Sequence, residues 1–418
     1  MENLINIPFF PLIKFFLGCK TQSAWCCVLR HLIPVIFLII FIIDFGDWII
    51  NGETNSIQGE PHRIRQSHII AILSYMNSQF SFLLTCTILF GFVLKAQHLI
   101  MAIERMISAH LLWFGLKVNK RSPVIFLGYM GICTSALAYV TVFVGQLCMN
   151  VGTTQQREMW KPVKYFVWRP PNLVWDAGFH LVWLVARLLP FLVYILYFHL
   201  VMLVIQSVVK FNSRLQSTII AVQQEIMHFE EGFRILRKED TEIYTIVQHL
   251  SDGFSFVLGA GIFGHFLIIC SMTAQAFLSD DFANVWEYAR EVLQILPSAV
   301  ILLMFFLTGT KLHESCSETI ALIRDLILAH QDCRRKIPLW TDDAKLITFL
   351  YKISQRSGSL MLAGFAHLTR GTAATFLFAF IGYLCFLIER SEHYKTDEKL
   401  TGALKGNTTL GHLESSSE

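Results

Sequence analysis

Charge is the first scarcity in this chain. Asp, Glu, Lys and Arg make up 16% of its 418 residues against 54% hydrophobic, and the mean hydropathy is +0.51. That balance excludes a disordered chain and an ordinary soluble enzyme, and it indicates a multi-spanning membrane protein. The net charge of +3 is too small to suggest nucleic-acid binding. Catalytic signatures are missing as well: there is no HExxH, GxSxG, Asp-His-His-Cys or Walker loop, and no cluster of Cys and His ligands. No enzyme, metal or cofactor is therefore expected. Gly259, Gly261 and Gly264 have the spacing of a dinucleotide fingerprint, but no strand precedes them, so they are read as helix packing. The first residues lack a small-residue cleavage site and contain Glu2, Pro8 and Pro11, which reads as a cytoplasmic or interfacial segment rather than a signal peptide.

Hydropathy predicts an all-α membrane protein with seven spans, at about 32–50, 69–93, 124–151, 174–210, 246–278, 288–310 and 372–388. The fourth is too long for one bilayer crossing. No internal repeat is visible, and an odd number of spans argues against an inverted-repeat transporter. The loops on one side hold 22 Lys and Arg, those on the other 10. The positive-inside rule then places the N-terminus in the cytoplasm and the C-terminus outside. The one N-x-S/T sequon, at Asn407, falls in the tail this orientation exposes, and is the candidate glycosylation site. That topology is the reverse of a G-protein-coupled receptor. All ten cysteines lie in spans or on the inner side, so no outer loop can form the disulfide expected of most such receptors.

The inner side holds more than loops. Residues 212–244 read as an amphipathic helix, and the sixth span runs on to about residue 329 with no proline to stop it. After Pro338, the Thr341-Asp342-Asp343 cluster starts another helix that leads into the last span. The expected organisation is a cytoplasmic segment 1–31, spans one to six with an outer ligand pocket over 32–310, anchor helices over 311–371, a pore-lining seventh helix over 372–390 and an extracellular tail over 391–418. The seventh span is unusual in its small and hydroxyl residues (Thr372, Ala373, Ala374, Thr375, Ala379, Gly382) and in ending on a carboxylate, Glu389. A helix that faces only lipid has no use for small residues; one packed closely on others, or lining a path, does.

That last stretch reads Gly382-Tyr383, five hydrophobic residues from Leu384 to Ile388, then Glu389-Arg390; upstream lies LAGFAHLTRG, Leu362 to Gly371. With length, seven spans and an inside N-terminus, it resembles the insect gustatory and odorant receptor superfamily, which includes nematode and other invertebrate members. The hallmark there is Thr-Tyr, five hydrophobic residues and Gln-Phe. Here Tyr and the spacing are kept, Thr is replaced by Gly, and Gln-Phe by Glu-Arg. The resemblance implies a plasma-membrane, ligand-gated, non-selective cation channel of four subunits, a homotetramer or a heteromer with related receptors. Four last helices would surround the pore, and each subunit would take a small-molecule ligand in its outer half, or light as the stimulus. A receptor of the same fold that signals through partner proteins without conducting is the alternative.

Candidate residues follow. Four copies of Glu389 would ring the outer pore mouth with carboxylates, with Tyr383, Leu384, Phe386 and Leu387 as candidates for the constriction. Equally, Glu389 can simply end the helix at the interface, paired with Arg390 or Lys395. In span four Asp176, His180, Trp183 and Arg187 share one helical face. Ionisable residues inside a span are costly unless they face a cavity or a partner, so this face either lines the ligand pocket or forms internal ion pairs. Tyr75 and Gln79 in span two, Tyr139 in span three, and Ser255, Phe256 and His265 in span five complete the pocket candidates, with Tyr129 a weaker one. Trp48, Trp160, Trp168 and Trp175 read as an interfacial aromatic belt.

Overall fold

The structure, a computed structural model, describes residues 28–40, 42, 83–109, 128–138, 140–141, 144, 173–224, 229–278, 285–334, 348–349, 351, 353 and 358–390; for 109, 173–183, 186, 187, 229–232, 275, 278, 285–292, 294 and 329–334 the backbone alone is described. Eight helices are distinguished in chain order: α1 (Val28–Ile40), α2 (Leu83–Leu94), α3 (Ala96–Ala109), α4 (128–138), α5 (Leu173–Gln223), α6 (Phe229–Leu278), α7 (Val285–Arg334) and α8 (Arg370–Arg390). A hairpin of two short antiparallel strands, β1 (Met361–Leu362) and β2 (Ala366–His367), immediately precedes α8.

Four helices, α5 to α8, are long and apolar enough to cross a bilayer, and α2 with α3, bent by 58° at Lys95, makes a fifth when taken as one broken span. Helices α5, α6 and α7 contain 51, 50 and 50 residues. Each is then roughly 75 Å long at 1.5 Å per residue, more than twice the ~30 Å hydrocarbon core. They must therefore project well beyond the membrane. Pro190 and Pro297 lie inside α5 and α7, each removing one backbone hydrogen bond without ending the helix.

The excess length has its own core. One hydrophobic cluster joins α2, α3, α5, α6 and α7 around Phe92, Tyr194, Tyr197, Phe254 and Phe305. A second, separate one gathers Phe211, Leu215 and Val222 from α5, Leu236 from α6, Ile323, Leu326 and Ile327 from α7, and Phe349 and Ile353. Polar ties run beside this second core. Asn212 Nδ2 donates to the Ser315 carbonyl at 3.0 Å, Thr319 Oγ1 donates to Asn212 Oδ1 at 2.6 Å, and Arg214 pairs with Glu239 at 3.2 Å. Such contacts fix helix register where a bilayer no longer does so.

Two expectations are corrected. Residues 212–244 do not form one amphipathic helix: they are the end of α5 and the start of α6, and the chain reverses between Gln223 and Phe229. No proline or glycine stands between those two residues to announce the reversal. Nor does a helix lead straight into the last span. Positions 348, 349, 351 and 353 are helical, but the hairpin intervenes before α8.

The hairpin is possible because Ala363 and Gly364 both take positive φ, 47° and 84°. Phe365 N–H then closes the turn on the Leu362 carbonyl at 3.0 Å. Glycine adopts this geometry freely; Ala363 does so at a cost that packing must offset. Its N–H donates to the Ser255 carbonyl of α6 at 2.7 Å, and Met361 N–H donates to Ser251 Oγ at 3.0 Å. Leu360, Leu362 and Leu368 are wholly buried around it. The glycines of α6 let neighbours approach on three sides: a Cβ on Gly259 would meet Ala363, one on Gly261 would meet Phe305, and one on Gly264 would meet Leu84. The GxGxxG spacing is helix packing.

On α7, a Cβ at Gly309 would lie 2.0 Å from Leu368 Cδ2. Gly309→Ala is expected to destabilise the detergent-solubilised protein by about 1–3 kcal/mol through overpacking. A thermal unfolding midpoint indistinguishable from that of the unmodified chain would show that Leu368 is not seated there.

Candidate functional site

Helix α8 begins on a well-made N-terminus. Thr369 Oγ1 accepts from Thr372 N–H at 3.3 Å, the bond of an N-cap. Arg370 pairs with Glu314 of α7, which ties this end of α8 to its neighbour. From there Phe376, Phe380, Tyr383 and Leu387 recur at i, i+4, i+7 and i+11, one face of a helix. That face packs inward. The Phe376 ring lies 5.5 Å from each of Phe263, Phe266 and Phe306, Tyr383 Oη donates to the Cys270 carbonyl at 2.9 Å, and Leu387 is buried.

The opposite face carries Gly371, Thr375, Phe378, Gly382, Cys385 and Glu389, all exposed. Only 6% of the apolar window of α8 is buried, against 72%, 56% and 50% for α5, α6 and α7. Phe378 is 70% exposed, and no atom lies within 4 Å of a Cβ built on Gly382. A single chain therefore covers one side of α8 and leaves a membrane-length apolar side bare.

The five pore candidates divide across these faces. Glu389 stands on the bare side, at the end of the helix. Tyr383 and Leu387 belong to the packed side, engaged by their own chain. Leu384 lies at the edge of the packed side, and Phe386, 53% exposed, at the other flank. Hydrophobicity alone does not separate these residues; the packing partners do.

Tyr75, Gln79, Tyr139 and Asn407 lie outside the described residues, as do Trp48, Trp160 and Trp168. Asp176, His180, Trp183 and Arg187 lie on α5, N-terminal to Tyr194 and so further along the direction in which α8 ends. Ser255 and Phe256 lie elsewhere. They stand level with the hairpin, Ser255 through its carbonyl and Phe256 against Gly91 of α2. Fifteen residues of α6, roughly 22 Å at helical rise, separate Ser255 from Cys270, where Tyr383 docks. Ser255 and Phe256 thus stand apart along the bundle from the part of α6 where α8 docks. His265 is buried and satisfied: Nε2 bonds Tyr194 Oη at 2.8 Å and Nδ1 bonds Ser298 Oγ at 3.1 Å.

Hydropathy passed over the polar partners inside the bundle. Tyr197 Oη and Thr308 Oγ1 are 3.0 Å apart, and Tyr129 hydrogen-bonds His199 Nδ1. Hydroxyls in an apolar run carry no period of their own. The usable signal was the pairing of aromatic hydroxyls with histidines, which sequence spacing does not reveal across 71 residues.

Tyr383→Phe isolates one contact. It removes the hydrogen bond to Cys270 and keeps the ring, and is expected to cost about 0.5–1.5 kcal/mol. The expected readout is faster amide hydrogen exchange in the last two turns of α8 and not in residues 370–377. Uniform exchange along α8 would show that the hydroxyl does not hold this end.

No family model matches the chain, and no curated protein sequence matches it. Solved structures do. The insect olfactory receptor OR5 from Machilis hrabei is similar with a TM-score of 0.61 over 88% of this chain and 90% of that one, at 12% identity. The same receptor in complex with eugenol is similar with a TM-score of 0.59 over 89% and 91%, also at 12% identity. At that identity the likeness is one of fold. The chain has the all-α, seven-helix membrane fold of an insect olfactory receptor.

Proposed function

We propose that the chain is a chemosensory, gustatory-receptor-like, ligand-gated non-selective cation channel of the plasma membrane, its pore formed by α8 of four subunits. The observation that carries this reading is the bare side of α8, a membrane-length helix whose uncovered face is small, hydroxylated and aromatic and ends on Glu389. Lipid alone would not call for glycine and threonine there; close approach to other copies, or to a path for ions, does. The fold likeness to a receptor solved with a small molecule, eugenol, supports a small-molecule stimulus.

In this arrangement Thr375, Phe378, Gly382 and Cys385 line the path, and four Glu389 carboxylates concentrate cations at its outer mouth. Phe376, Tyr383 and Leu387 sit behind them and set how each α8 leans. A stimulus opens the pore only by binding the open packing better than the closed one. Residues 1–31 and the second core face the cytoplasm, the second core serves as the anchor where four copies meet, and 391–418 are extracellular. The pocket is formed by the outer parts of the helices, with Asp176, His180, Trp183 and Arg187 on one wall.

Expression in a cell without other sensory proteins, with whole-cell recording under a panel of small molecules and light, tests this reading. Stimulus-evoked cation current is expected, and its complete absence would instead favour a receptor that signals through partner proteins. Glu389→Gln is expected to shift the reversal potential toward lower cation-over-anion selectivity; an unchanged reversal potential would remove Glu389 from the path. A permeant-cation-sized thiol reagent, a methanethiosulfonate carrying trimethylammonium, is expected to block the open channel through Cys385 and to spare Cys385→Ser. Equal block of both would place Cys385 off the pore.

A further inference from the structure

The crossing of α3 and α6 brings together two histidines that no mechanism above uses. His98 lies in the first turn of α3, directly after the 58° bend at Lys95, and His249 lies on α6. Their ring centroids are 6.2 Å apart and the rings are inclined by 42°. In each, Nδ1 is buried and has no hydrogen-bond partner in the protein. A buried nitrogen left without a partner is unfavourable, and two of them at one helix crossing call for a common explanation.

The approach is imposed by the fold. Gly253, one turn beyond His249, has no side chain where Leu99, next to His98, presses in; a Cβ there would lie 2.5 Å from Leu99 Cδ2. Two turns the other way, Arg105 of α3 pairs with Glu242 of α6 at 3.7 Å. The two rings are thus held between a tight apolar contact and an ion pair, each joining the same two helices.

We propose that His98 and His249 form a clasp for a divalent transition-metal ion, zinc being the model case, with water completing the coordination. Zn–N bonds are about 2.0–2.1 Å, so two imidazoles on one tetrahedral ion place their ring centroids roughly 5 Å apart, and the observed pair has to close by about 1 Å through side-chain adjustment. The nearby charges keep the site weak: Arg105 acts on His249 as a cation more strongly than Asp252 acts as an anion, although Arg105 is itself paired with Glu242 at 3.7 Å. Among the described residues no third His, Cys, Asp or Glu completes a three-ligand site. The clasp is therefore a weak, reversible site, suited to modulation and not to permanent structure. An ion in it would pin α3 to α6 just after the bend, at the level of the hairpin from which α8 starts.

The test uses the full chain in detergent, with zinc chloride as the probe and magnesium chloride as the control. Zinc at about ten times its dissociation constant is expected to raise the unfolding midpoint by roughly 1–2 °C, while magnesium leaves it unchanged. The shift is expected to be absent in His98→Asn and in His249→Asn. Each variant is first checked for an unchanged elution volume and midpoint without metal; should either fail, His98→Gln and His249→Gln replace them. No zinc shift in the unmodified chain overturns the proposal. So does an equal shift in both variants, because the chain has 15 histidines and 10 cysteines that could bind zinc elsewhere.

Discussion

The seating of one hairpin between α6 and α7 determines where α8 begins and which way it faces. Leu360, Leu362 and Leu368 are buried to the last atom. They fit because Gly259, Gly309 and Gly358 leave room for Ala363, Leu368 and Cys316. Overpacking at such contacts has little soft escape, since Leu368 is itself buried and a Cβ on Gly259 would meet the backbone of Ala363. The positive φ of Ala363 shows the same thing from the backbone: a non-glycine residue holds that conformation only where its surroundings fix it. Once the hairpin is seated, the Thr369 cap and the Arg370–Glu314 pair follow, and α8 rises along the phenylalanines of α6 and α7.

Helix length sets the second constraint. Three helices of 50 or 51 residues cannot be covered by a bilayer, so their projecting halves must bury one another. The two hydrophobic clusters express that division. Aromatic side chains of the first meet edge to face, as Tyr197 does with Phe254 and Phe305, while the second adds Asn212, Arg214 and Glu239 beside its aliphatic residues.

Much of the fold was legible in the sequence. An apolar run declares a span because the bilayer fixes its length, and the proline-free continuation of the sixth span to about residue 329 anticipated α7 as one helix, which runs to Arg334. The reversal between Gln223 and Phe229 was not legible, because no turn residue marks it. Nor was the hairpin: LAGF matched a familiar segment, but nothing in it says that Ala363 will take a left-handed conformation against a glycine more than 100 residues away. Of the candidate site, Glu389 was visible as an acid ending an apolar helix. The split of Tyr383 and Leu387 from Thr375, Phe378 and Cys385 was not, since all are acceptable to a membrane span.

The sequence by itself determined that this is a helical membrane protein, and that the last span is made of small, hydroxylated and aromatic residues with a carboxylate at its end. Those are properties of single stretches, fixed by transfer free energy and helical period. Only the tertiary structure decided which side of that span is covered. The choice rests on contacts between helices distant in sequence: Phe376 on Phe263 and Phe306, Tyr383 on Cys270, the hairpin on Gly259 and Gly309. Packing complementarity of that kind has no signature in a linear sequence, and it turns seven apolar stretches into a chain with one membrane-length face still bare.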